Sequence, residues 1–164
     1  MRKIIVVSDS HGNFGALKKV AERESRWDLW IHLGDGLTEM EMLRRKWPDQ
    51  SLAFGFEGVS GNNDPPGAYP ELLALKIGAQ RFLLTHGHLC GAGRGYEGLL
   101  AAARRERCRI VLFGHTHHYT DLQYRGTRLI NPGSLCGYLT PQPGYLRIMA
   151  EAKRIEVERR MLSD

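Results

Sequence analysis

The chain has 164 residues, 42% hydrophobic and 25% charged, which suits a single domain spanning 1–164 with a sizeable core. A net charge of +5 fits an anionic substrate, but the basic residues alternate with acids, as in Lys153 to Arg160, so a nucleic-acid-binding face is not expected. Three scattered cysteines argue against a secreted disulfide framework, and the apolar run Ile4 to Val7 is too short for a signal peptide or a membrane span, so a cytoplasmic protein with no membrane association is expected.

In chain order, Lys3 to Val7 reads as a central strand that runs into Ser8-Asp9-Ser10-His11-Gly12-Asn13. In extended backbone, Asp9 and His11 point the same way, about 6.6 Å apart. A helix follows, with Leu17, Val20 and Ala21 at helical spacing. Asp28 to Leu33 is the second strand and ends in Gly34-Asp35-Gly36. Asp35 reads either as a cap of the next helix or as a ligand, and packing explains it poorly. A helix over about Glu39 to Lys46 is stopped by Pro48. Leu52 to Val59 is a weaker third strand. The string Ser60-Gly61-Asn62-Asn63-Asp64-Pro65-Pro66 after it has the chemistry of a turn, yet it too lies at a strand exit.

Leu72 to Ile77 and Arg81 to Leu84 read as a hairpin whose second arm ends in Thr85-His86-Gly87-His88. A helix over about Tyr96 to Arg107 precedes the buried strand Arg109 to Phe113. That strand ends in Gly114-His115-Thr116-His117, again two side chains at i, i+2. Asp121 to Tyr124 and Thr127 to Ile130 form a hairpin turned at Arg125-Gly126. Asn131-Pro132-Gly133-Ser134 is a loop, and Tyr145 to Met149 with Arg154 to Arg160 close the chain as a hairpin. Strand-helix alternation in front and antiparallel strands behind suggest sheet-on-sheet packing with outer helices.

Seven ligand-type residues thus sit at five strand exits: Asp9, His11, Asp35, Asn62, His86, His115 and His117. Strand ends that converge on one crevice make a ligand site. Oxygen and nitrogen donors without thiolate suit Mn²⁺, Fe, Co, Ni or Zn²⁺ rather than Ca²⁺. Two cations about 3.5–4 Å apart need a bridging ligand, and Asp35 is the candidate. The residual positive charge favours a phosphate ester and an anionic nucleophile. His32 reads as a structural residue of its strand, His118 as exposed or supporting, and Phe14 and Tyr138 as packing residues that lie near motif loops.

These motifs resemble, over nearly the whole chain and in order, the calcineurin-like metallophosphoesterase superfamily. Within it the chain is similar to the small bacterial and archaeal phosphodiesterases of the YfcE/MJ0936 type, with Asn131-Pro132-Gly133-Ser134 as a further shared motif. The resemblance implies an α/β (α+β) fold, a four-layer αββα sandwich of two mixed sheets flanked by helices. It implies Asp9, His11 and His117 around one cation, Asn62, His86 and His115 around the other, and Asp35 between them. Mn²⁺ is the first expectation, with Ni, Co, Fe or Zn as alternatives. It also implies in-line attack on a small phosphodiester by a hydroxide held between the two metals, and a homodimer or homotetramer. One departure stands out. The family's Gly-Asn-His is Gly61-Asn62-Asn63 here, and an amide supplies no proton to a leaving group. Asn63 and His88 are therefore the candidate residues at the leaving-group side, with His88 as a partial substitute or a supporting residue. The expectation is a diesterase rather than an alkyl monoesterase. The competing readings are a non-catalytic protein-binding scaffold of the same fold and a nucleotide or dinucleoside-polyphosphate phosphohydrolase.

Overall fold

The computed structural model describes residues 1–47, 55–137, 139–152 and 154–163. Ten strands lie within them: β1 Arg2–Val7, β2 Leu29–His32, β3 Gly55–Gly58, β4 Leu72–Ile77, β5 Gln80–Thr85, β6 Ile110–Phe113, β7 Tyr119–Tyr124, β8 Thr127–Pro132, β9 Gly144–Ala150 and β10 Ile155–Met161. Three helices accompany them, α1 Phe14–Glu24, α2 Leu37–Lys46 and α3 Glu97–Arg105. The strands make two mixed five-stranded sheets, ordered β10-β9-β1-β2-β3 and β4-β5-β6-β8-β7.

The apolar runs are continuous because both faces of the central strands are covered. Ile4 and Val6 of β1 face Phe82 and Leu84 of β5 and Leu112 of β6 between the sheets. Their neighbours Ile5 and Val7 face outward against Leu17 and Val20 of α1 and Met40 and Leu43 of α2. On the other sheet, Leu83, Val111 and Phe113 point outward to Leu99 and Ala103 of α3. Alternation within each strand thus builds three apolar interfaces and hence four layers, αββα. No helix among the described residues is long and apolar enough to cross a membrane.

Several boundaries differ from the sequence expectation. α2 begins at Leu37, two residues early, because the side chain of Asp64 receives the N–H groups of Gly36 and Leu37. β8 runs on through Asn131 and Pro132, which pair with Thr120 and Tyr119, so the expected loop starts only at Gly133. Pro132 is the last residue of its strand, where the ladder loses little from a missing N–H. α3 spans Glu97–Arg105, shorter than read. The expected stop at Pro48, residues 52–54 of the third strand and Tyr138 lie outside the described residues.

Strands β1, β2 and β3 run parallel to one another, as do β5, β6 and β8. Each segment that carries a candidate ligand follows the C-terminal end of one of them, and this brings distant stretches of chain together at the tip of the sandwich.

Candidate metal centre

The loop after β1 and the loop after β2 are joined by backbone bonds. Asp9 N–H donates to Gly34 O at 3.0 Å, and His11 N–H to Asp35 O at 3.0 Å. The loop after β6 is tied to the loop after β1 in turn, since His115 N–H donates to Asp9 Oδ2 at 3.1 Å and the Ser8 hydroxyl donates to the same oxygen. Gly114 allows that approach: a Cβ there would lie 2.0 Å from Ser8 Oγ and 2.9 Å from Asp9 Oδ2. Asn131, at the end of β8, steadies the same loop. Its amide donates to Gly114 O at 2.8 Å and to Thr116 Oγ1 at 3.1 Å.

The carboxylates of Asp9 and Asp35 sit among the imidazoles. Asp9 Oδ1 lies 3.1 Å from His117 Nε2, 3.7 Å from His11 Nε2 and 3.9 Å from His86 Nε2. Asp35 Oδ2 lies 3.4 Å from His86 Nε2 and 3.7 Å from His11 Nε2. Two overlapping clusters result, Asp9–His11–His117 and Asp9–Asp35–His86, each with ligand atoms within 4.8 Å of one another. The His115 ring stacks edge-on to His86 at 5.1 Å. His88 flanks both, at 5.3 Å from His86 and 6.2 Å from His115. Asn62 is exposed on the turn after β3.

The expectation that i, i+2 pairs project together from extended backbone is corrected here. Asp9, His11, Asp35, His115 and His117 all have left-handed backbone, with φ of 53°, 43°, 56°, 65° and 59°. Tight turns therefore aim these side chains. His115 and His117 diverge, one toward His86 and the other toward Asp9. Non-glycine residues with positive φ carry strain that persists only where the surroundings over-determine it.

The fit to a cation rests on orphaned atoms. Asp9 Oδ1, His11 Nε2 and His86 Nε2 are buried, point at one another and have no hydrogen-bond partner. Buried polar atoms without partners are costly, and three that converge make a natural ligand set. The orientation of His86 is fixed from behind, since its Nδ1 lies 2.7 Å from Leu33 O, which leaves Nε2 free to face a cation.

Protonation follows the same geometry. Burial alone would raise the Asp9 carboxyl, but the neighbouring imidazoles of His11, His117 and His86 hold it far below the usual carboxylate range. Asp35 is pushed up by burial yet held at about 2 by His86 and Asn63. His11 is raised by the adjacent Asp9 carboxylate. His86 is opposed by burial but raised by Asp35 and Asp9. Burial and the charge of His86 lower both His88 and His115.

Asn63 covers Asp35. Its backbone N–H donates to Oδ1 at 2.8 Å and its side-chain amide to Oδ2 at 2.7 Å. A residue that turn chemistry hid is Asp64. Its carboxylate accepts N–H groups from Asp35, Gly36, Leu37 and Gly61 at 2.6–2.9 Å, so it locks the Asp35 loop to the Asn62 turn and caps α2 from outside. An Asp three residues after a glycine at a strand exit was the available signal. Phe14, the first residue of α1, packs against the helix-facing core with Lys46 above its ring, and His118 is exposed.

Residues 1–153 match the family model described as the calcineurin-like phosphoesterase superfamily domain. The probable metallophosphoesterase YsnB of Bacillus subtilis is 33% identical over 133 residues, covering 80% of this chain and 74% of its own. The phosphodiesterase MJ0936 of Methanocaldococcus jannaschii is 25% identical over 158 residues, 86% of this chain and 89% of its own. Among solved structures, a Streptococcus pneumoniae protein described as a predicted phosphoesterase aligns with a TM-score of 0.77 at 28% identity, over 99% of this chain and 90% of that one. The zinc complex of Vps29 from Entamoeba histolytica aligns at 0.73 with 22% identity, over 98% and 99% of the two chains, a likeness of fold.

Proposed function

The chain belongs to the calcineurin-like phosphoesterase superfamily, and from that premise we propose that it hydrolyses small phosphodiesters with two divalent cations, Mn²⁺ first among them. Asp9, His11 and His117 would hold one cation, and Asn62, His86 and His115 the other, with Asp35 shared. The observation that carries this reading is the convergence of Asp9 Oδ1, His11 Nε2 and His86 Nε2, buried and otherwise unpaired. Bound there, the cations would supply Lewis acidity at the phosphoryl oxygens and a lowered pKa for water.

The chain's own residues set the rest. Asp9 and Asp35 stay ionised at neutral pH and so are ready to ligate. The two Asn63 bonds orient Asp35, which keeps its carboxylate plane fixed as charge shifts beside it. Neither residue on the leaving-group side is a good acid. Asn63 has no titratable proton, and burial and the charge of His86 disfavour a proton on His88. The leaving oxygen must then depart with little protonation, which suits phosphodiesters with acidic alcohols over alkyl monoesters.

Hydrolysis of bis(p-nitrophenyl) phosphate by Mn²⁺-loaded protein, abolished by chelation and by Asp9→Asn, is the test. Loaded protein that leaves this diester intact would favour the second reading, a non-catalytic protein-binding scaffold of the same fold.

A further inference from the structure

A second buried polar group lies behind the centre, and no metal-ligand role accounts for it. His32 at the end of β2, Ser10 in the loop after β1 and Glu39 in the first turn of α2 are all buried. Their hydrogen bonds form one directed line. Gly34 N–H donates to His32 Nδ1 at 3.2 Å, so the ring proton sits on Nε2. Nε2 faces Ser10 Oγ at 3.1 Å, and the Ser10 hydroxyl donates to Glu39 Oε1 at 3.2 Å. The same Oε1 receives Gly12 N–H. One carboxylate oxygen therefore holds both neighbours of His11. Residue 11 bows out between them in left-handed backbone, with φ of 43°. Nothing larger than glycine fits against the line: a Cβ on Gly36 would lie 1.8 Å from Ser10 Oγ and 2.9 Å from His32 Nε2.

We infer that Glu39, acting through Ser10 and braced by His32, is a positioning residue that holds His11 in its strained turn and so sets His11 Nε2 at equal 3.7 Å distances from Asp9 and Asp35. Backbone bonds already join the two loops, and they fix loop separation. The Glu39 oxygen acts on residues 10 and 12 and fixes where the intervening imidazole points. A ligand whose support is removed typically loses 10–100-fold in metal affinity. The line does not touch substrate, so its effect falls on cation binding at the His11 side of the centre. The inference rests on the proposed cation centre.

Calorimetric titration of full-length, chelator-stripped protein with MnCl₂ tests it. Ser10→Ala and Glu39→Ala should weaken the binding step that His11→Ala also weakens, by about 10–100-fold. The step removed by His86→Ala should move less than about threefold, the change that about 0.6 kcal/mol gives at 25 °C. Glu39→Gln keeps an acceptor oxygen and should recover the affinity. Val20→Ala, which opens a cavity in the helix-facing core, controls for general destabilisation and should lower the melting temperature with neither step changed. Wild-type affinity in both Ser10→Ala and Glu39→Ala overturns the inference, as does a Glu39→Gln protein as weak as Glu39→Ala. A wild-type protein that binds no Mn²⁺ overturns the cation centre itself.

Discussion

The two clusters at the centre share Asp9 but differ in enclosure. Asp9, Asp35 and His86 are 0%, 3% and 0% exposed, so this cluster is part of the core. His11 and His117 stand at the rim, with side chains 17% and 23% exposed. The same device, a candidate ligand just past a strand end, thus yields an inner cluster walled by protein and an outer one open to solvent. The difference teaches that burial grades the centre: the inner candidate ligands are pre-oriented by packing, while the outer ones draw added support from residues such as Glu39 and Asn131. Cations are expected to bind in two steps, the inner one tighter.

Asp9→Asn should erase the difference, because Asp9 contributes to both clusters. Diesterase activity with Mn²⁺ should fall by more than the roughly 100-fold that marks loss of a supporting partner, and both binding steps should weaken in calorimetry. His86→Ala and His117→Ala should separate the clusters. The first should remove the tight step and lower the melting temperature, since it empties a fully buried site. The second should remove only the weaker step and leave the melting temperature within a few degrees.

Titration sharpens the contrast without mutation. His32 is lowered from 6.5 to about 4 by burial, so its contribution to stability is present above pH 6.5 and lost as the pH falls toward 4. Asp35, held at about 2 against 3.8, contributes stability that is present above pH 3.8 and lost as the pH falls toward 2. His11 and His86 are raised, so theirs is complete below pH 6.5 and lost as the pH rises through their folded values. The chelator-stripped protein should therefore melt highest near pH 6.5. Saturating Mn²⁺ should remove the alkaline decline, because cations replace those protons. A melting temperature that keeps rising to pH 9 in chelator would contradict this assignment.

The smallest expected effect is on specificity. Asn63→His should raise monoesterase relative to diesterase activity by about tenfold, less than the roughly 10²–10⁴-fold that a fully placed general acid supplies. An unchanged ratio of p-nitrophenyl phosphate to bis(p-nitrophenyl) phosphate hydrolysis would show that residue 63 does not face the leaving group.

Much of this was legible in the chain itself. Runs such as Ile4–Val7 and Ile110–Phe113 announce strands buried on both faces, and Asp, Asn or His after each marks a convergent site. What stayed hidden depends on which loops meet. Asp64 looks like an ordinary turn residue until the Asp35 loop is seen to close on it. Ser10, His32 and Glu39 are far apart in sequence and become one line only when β1, β2 and α2 pack. The left-handed turns at Asp9, His11, Asp35, His115 and His117 run against residue preference, so local propensity reads them as extended. Asn131 and Pro132 extend β8 because β7 supplies partners that the motif does not reveal.

The most direct test of the paired-cation centre is to add Mn²⁺ in increments to chelator-stripped protein while bound metal and bis(p-nitrophenyl) phosphate hydrolysis are read together. Two cations per chain should bind in distinct steps, with hydrolysis appearing as the second, weaker step fills. Full hydrolysis at one bound cation, or hydrolysis that survives complete chelation, would contradict the account.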